Sequence, residues 1–125
     1  GVSGVVVGDS VVVALEKGED HAAKTLKVGA GRVVPLPAGA SWEQAPAFLH
    51  ISALLLQGLA KAGVTDPKTL SGMRVLVCGG SGPAGSLAIQ AFAAAGAHVF
   101  ACGDKALEAL GAERVVQYKR ESWVG

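Results

Sequence analysis

Charge and aromatic surface are both scarce in this sequence: 17% of the residues are charged and 5% are aromatic. Half of the chain is apolar and the mean hydropathy is +0.43, a balance that excludes a disordered or fibrous chain. An excess of one sign is also missing. Eleven basic residues against ten acidic ones leave a net charge of +1, too little to draw in nucleic acid or an anionic membrane through a general field. There are two cysteines, Cys78 and Cys102, too few for a disulfide framework. Both fall in predicted buried strands, which points to a reduced, intracellular setting, cytoplasmic or mitochondrial. Neither they nor the histidines show C-x-x-C or H-x-x-x-H spacing, so no metal site is expected. The opening residues lack the basic, apolar and small-residue pattern of a signal peptide. The longest uncharged stretch, Val75 to Gly103, could cross a bilayer on length alone. Its Gly-Gly-Ser-Gly-Pro interruption, Gln90 and His98 make it a buried strand, a tight turn and a helix instead.

Glycine is plentiful. Eighteen glycines in 125 residues is roughly twice the usual share. The length suits about one domain. With Gly1 in place of an initiator methionine and Gly125 just past a strand signal, the expectation is an internal piece of a longer protein.

The β-branched runs Val5–Val7 and Val11–Ala14, separated by Gly8-Asp9, predict a strand and hairpin. After a more polar stretch, Val28 and Val33-Val34 resume strand character until Pro35 and Pro37 end it. Ser41-Trp42-Glu43-Gln44 has the form of a capping box and predicts a helix start. Pro46 lies too deep for a first-turn proline, which predicts a short or kinked helix and a second run from about Ser52, with His50 between them. Ile51, Leu54, Leu55, Gly58, Leu59 and Ala62 form the apolar stripe of that run, and Gly63 suits its C-terminal cap. Val64 to Gly72 reads as a polar connector. From Arg74 the pattern is strand 74–78, helix 82–95, strand 98–102, a short helix capped by Asp104 and ended by Gly111, and strand 114–118. Strands alternating with helices imply parallel pairing and a doubly wound α/β sheet.

Gly80-Ser81-Gly82-Pro83-Ala84-Gly85 matches G-x-G-x-x-G, a weak pattern that gains specificity from its position between a buried strand and a helix. There Gly80 serves the tight turn, Gly82 lets a pyrophosphate approach the backbone, and Gly85 permits close packing of helix on strand. The N–H groups and dipole at the helix start then face the phosphates. At the end of the next strand the residues point both ways. Asp104 can accept from the ribose hydroxyls of NAD or cap the following helix, whereas Lys105 can pair with the 2′-phosphate of NADP. Tyr118 is placed beside the adenosine end of the site, or packs at a strand end. Ser81 is not a nucleophile elbow, because Pro83 stands where G-x-S-x-G needs glycine. His50 is placed to contact a substrate or nicotinamide, or, the favoured reading, is a packed or surface side chain; His98 reads as structural.

Several blocks, in order, resemble the medium-chain dehydrogenase/reductase superfamily and within it the zinc-free, zeta-crystallin-like quinone oxidoreductases. Val7-Gly8-Asp9-Ser10-Val11 is similar to the family's G-D-x-V strand, and Arg32 to Pro37 to its approach to the linker. Ser41-Trp42-Glu43-Gln44-Ala45 is similar to its S-x-E-x-A helix start, and Gln57-Gly58-Leu59 to the helix that follows. Val75 to Gly85 resembles the phosphate loop V-L-V-x-G-G-x-G-x-x-G. Ala95 to Val99, Leu110-Gly111-Ala112 and Val116-Gln117-Tyr118-Lys119 resemble the next strand, the L-G-A turn and the V-I-x-Y-K strand end.

The resemblance implies that residues 1–42 are the last part of a chaperonin-10-like β domain. It implies that residues 43–125 are linker helices and the first half of a Rossmann domain. It further implies NADPH-dependent (NADH being the alternative) reduction of a quinone or α,β-unsaturated carbonyl, without zinc or a membrane span, in a homodimeric protein. Its cofactor residues carry onto Gly80, Ser81, Gly82, Pro83, Ala84, Gly85, Asp104, Lys105 and Tyr118; no catalytic residue is assigned. Three departures stand beside it: Leu54 where the family places a threonine near the nicotinamide, Pro83-Ala84 in place of Gly-Val, and a shorter segment between Gly103 and Leu110. They keep a second expectation open, a catalytically inactive member acting as a scaffold or complex subunit.

Overall fold

The computed structural model describes residues 4–117. The chain forms two compact units, residues 1–50 and 51–125. In the first, strand β1 (Val11–Val13) pairs antiparallel with β2 (Val33–Pro35), Val12 facing Val34. Hydrogen bonds from Ala14 N–H to the Arg32 carbonyl and from Leu36 N–H to the Ser10 carbonyl extend the ladder at both ends. This differs from the expected hairpin. Val5–Val7 forms no strand, because its backbone is used in a closed turn in which Asp9 accepts from the Val6 N–H through its carboxylate and donates to the Val6 carbonyl. The Arg32 guanidinium grips both oxygens of Glu19, at 2.7 and 2.9 Å, and reaches Glu16 at 3.1 Å. That contact ties the polar stretch back to the start of β2.

Helix α1 (Gln44–Lys61) is continuous over 18 residues, so the expected break at Pro46 is absent. Pro46 occupies the third helical position, where the N–H has no intrahelical partner to lose. The Ser41 hydroxyl accepts from the Gln44 N–H. The Glu43 carboxyl is held below its usual range by its own backbone N–H and the Ser41 hydroxyl. His50 lies inside the helix and is exposed rather than in a linker. The apolar stripe is narrower than expected. Leu55 and Leu59 pack against the core of the second unit, whereas Leu54 and Leu56 are more than half exposed.

The second unit has a parallel sheet of β3 (Arg74–Val77), β4 (His98–Cys102) and β5 (Arg114–Val116), in that spatial order. The parallel pairing expected of strands separated by helices is present, Val75 lying beside Val99 and Ala101 beside Val115. Helix α2 (Pro83–Ala94) makes the first crossover. Its Ala88, Ile89 and Phe92 join Val77, Val99, Ala101 and Val115 in one buried cluster. Ile89, Val99 and Ala101 have no exposed surface. Burial alternates along the strands, and the opposite face, carrying Leu76 and Phe100, is more open. The 64–72 connector is less polar than expected. Asp66 caps a 3-10 turn, Pro67–Leu70, by accepting from the Lys68 N–H, and Leu70 enters the core. Among the described residues no helix is long and apolar enough to cross a membrane.

Candidate nucleotide-binding loop

The C-terminal ends of β3 and β4 lie side by side, and the loops that leave them are tied together. The Gly80 N–H donates to the Cys102 carbonyl at 3.0 Å, and the Asp104 N–H donates to the Ser81 hydroxyl at 3.2 Å. The Gly-rich loop and the start of the next segment thereby form one lip.

The glycines of the loop have separable roles. The turn out of β3 is made by Gly79, whose φ of +74° strains any other residue. This role was expected at Gly80. Gly80 is instead required for closeness: a Cβ there would lie 2.6 Å from Leu107 Cδ1 and 3.3 Å from the Cys102 carbonyl oxygen. At Gly85 a Cβ would collide with the Gly79 carbonyl oxygen and come within 2.8 Å of Gly80 Cα, so this glycine sets the approach of α2 to the strand.

Gly82 is different. It caps α2 at φ −82° and ψ 164°, an extended conformation open to most residues and favoured before proline. The nearest atom to a Cβ there is 3.5 Å away, an ordinary contact. Neither backbone strain nor packing calls for glycine at this position.

Pro83 sits at the first position of α2, so its missing N–H is one the helix could not have satisfied. The Ser86 N–H bonds back to the Gly82 carbonyl, whereas Ala84 and Gly85 come too early in the helix for an i−4 partner. Their N–H groups and the positive end of the helix dipole lie beside Gly82, an arrangement that favours an anion.

Asp104 is exposed and accepts from the Ala106 N–H at 2.9 Å, capping the 3-10 turn Lys105–Leu110 that Gly111 closes at φ +106°. Lys105 is exposed at the first position of that turn. Tyr118 lies outside the described residues. The structure therefore brings together Gly80 to Gly85, Asp104 and Lys105 beyond the C-terminal ends of β3 and β4.

Two positions were not singled out from the sequence. Gly79 is one, and Gly103 is the other: a Cβ at Gly103 would fall 2.6 Å from Ser81 Oγ and 2.7 Å from Leu107 Cδ1. The signal in both cases is a glycine directly after a strand. Cys78 is exposed, not buried in a strand, because β3 ends at Val77, and Cys102 is half-buried. His98 bonds to the Glu113 carboxylate on the surface. Among the described residues no three metal-ligating side chains cluster.

A glycine-rich turn between a parallel strand and its crossover helix is the arrangement of a Rossmann-type domain, and solved structures agree. The quinone oxidoreductase of Thermus thermophilus, solved also in its complex with NADPH, aligns with a TM-score of 0.66 at 30% identity, over 92% of this chain and 38% of that one. The quinone oxidoreductase of Pseudomonas syringae pv. Tomato aligns with a TM-score of 0.57 at 28% identity, over 72% of this chain and 28% of that one. In sequence, the human protein named NAD(P)H oxidoreductase RTN4IP1, mitochondrial, is 34% identical over 99 residues, 76% of this chain and 25% of that protein. No protein-family model matches the chain. The chain is thus similar in sequence and fold to quinone oxidoreductases and to an NAD(P)H oxidoreductase, in keeping with its resemblance to the medium-chain dehydrogenase/reductase superfamily, and it spans between a quarter and two fifths of the length of these proteins.

Proposed function

We propose that the protein is an NADPH-dependent oxidoreductase of the quinone oxidoreductase type, reducing a quinone or an α,β-unsaturated carbonyl. The observation that carries this reading is Gly82, a glycine that the fold itself does not need, set where a pyrophosphate must meet bare backbone. When bound, the nicotinamide supplies the hydride. The chain's own part is to hold and orient. Gly80 and Gly85 bring loop, helix and strand close, and the N–H groups of Ala84 and Gly85 with the α2 dipole meet the negative charge. Ser81 fastens the loop to the end of β4, where Asp104 and Lys105 stand at the ribose end. Lys105 supports the phosphorylated cofactor, since an ammonium gains a charge-assisted contact with a 2′-phosphate that NADH lacks. Asp104 commits its carboxylate to the helical cap, which lessens its claim on ribose hydroxyls.

The names of the relatives support the same reading: two quinone oxidoreductases, one solved with NADPH, and an NAD(P)H oxidoreductase. In this reading residues 1–42 close a β-rich catalytic domain and residues 43–125 open the dinucleotide domain. The working protein is a homodimer of the cytoplasm or mitochondrion. Titration of the intact protein with NADPH, followed by nicotinamide fluorescence, tests the proposal. Saturable binding that Gly82→Val abolishes in a folded protein is expected. Absence of binding at millimolar cofactor leaves the second reading, a scaffold or complex subunit, which Leu54 in place of the family's threonine favours.

A further inference from the structure

Cys78 follows Val77 by one residue and Cys102 follows Ala101 by one, and Val77 and Ala101 are register partners in neighbouring parallel strands. The register therefore brings Cys78, the first residue after β3, beside Cys102, the last residue of β4. Neighbouring strands run about 4.8 Å apart, inside the Cα separation that a disulfide spans. Cys78 is exposed while Cys102 is half-buried, which assigns unequal roles. Burial and the neighbouring Cys78 push the Cys102 thiol up, so Cys78 is the better-placed first nucleophile.

We propose that Cys78 and Cys102 form a peroxide-oxidised dithiol site whose disulfide fastens the Gly-rich turn to the end of β4. The Cys78 thiolate attacks one oxygen of hydrogen peroxide and the O–O bond breaks. The departing hydroxide takes up the thiol proton as water, leaving a sulfenic acid on Cys78. The Cys102 sulfur then attacks the Cys78 sulfur, the S–O bond breaks, and a second water leaves with the Cys102 proton. Two thiols lose two electrons in all, and the peroxide gains them. The site stands apart from cofactor chemistry and needs no nucleotide.

The experiment exposes the intact protein to hydrogen peroxide without nucleotide, blocks free thiols with iodoacetamide, and maps peptides by mass spectrometry. The expected result is an intramolecular Cys78–Cys102 peptide pair, lighter by two hydrogens than the free peptides and restored by dithiothreitol. In Cys102→Ser, and in Cys102→Ala as a check that the fold survives by circular dichroism, dimedone should trap the Cys78 sulfenic acid. In Cys78→Ser, Cys102 should stay alkylatable. Both thiols remaining alkylatable in the wild type, at peroxide that oxidises free glutathione, overturns the proposal, as does a link found only between two molecules.

Discussion

Gly82 and Gly85 lie three residues apart at the start of α2, and the structure assigns opposite consequences to the same added methyl group. At Gly85 the methyl meets backbone on two sides, the Gly79 carbonyl oxygen and Gly80 Cα at 2.8 Å. Backbone cannot swing away as a side-chain end can, so Gly85→Ala should cost about 1–3 kcal/mol by overpacking, lowering the melting temperature by roughly 5–20 °C in a domain of this size. At Gly82 the nearest atom is 3.5 Å away and φ is negative. There the weaker helix cap given by alanine costs about 0.5–1 kcal/mol, and the smaller freedom of the unfolded chain returns about 0.4–1 kcal/mol. Gly82→Ala should therefore melt within a few degrees of the wild type. Its effect falls on the ligand. A methyl on the surface that meets the pyrophosphate disrupts charge-assisted hydrogen bonds worth about 1.5–3 kcal/mol each, a loss of roughly tenfold to a hundredfold in NADPH affinity per bond. Differential scanning fluorimetry and fluorescence titration on the two variants read both effects. A destabilised Gly82→Ala, or one that melts normally and binds NADPH unchanged, would refute the division of labour.

Cofactor choice can be read from exposed positions. Lys105→Ala should weaken NADPH binding several-fold and leave NADH unchanged, whereas a wild-type preference for NADH that Asp104→Ala removes would make Asp104 the ribose ligand. In the first unit, the Arg32 guanidinium holds the Glu19 carboxyl below its ordinary value. Because the folded group is the stronger acid, its contribution to stability is present above the ordinary glutamate range and is lost as the pH falls through the depressed folded value. Hydrogen exchange at the β1 and β2 amides should therefore gain acid sensitivity in that window, and Glu19→Gln should remove it. An identical acid profile in the variant would show that the pair does not hold this unit.

Local chemistry made much of the second unit legible in advance. The apolar runs at 75–77 and 99–101, the Gly-Ser-Gly-Pro turn between strand and helix, Asp104 as a cap and Gly111 as a stop all act over a few residues. Each can be read without knowing what packs against it. Contacts between distant residues decided the rest. The partner of β1 is a strand some twenty residues on, chosen over the adjacent Val5–Val7 run because Asp9 had closed that run into a turn. Pro46 is harmless only because α1 begins at Gln44. Three glycines that look equivalent in the motif G-x-G-x-x-G separate only when the atoms around each are present. Two are held by close approach to Leu107 and to the Gly79 backbone, and Gly82 by nothing within the chain. Likewise Cys78 and Cys102, 24 positions apart in sequence, became neighbours through parallel register. A sequence can place a residue in an element, but which atoms meet across elements depends on register and packing, and those are set by the whole sheet.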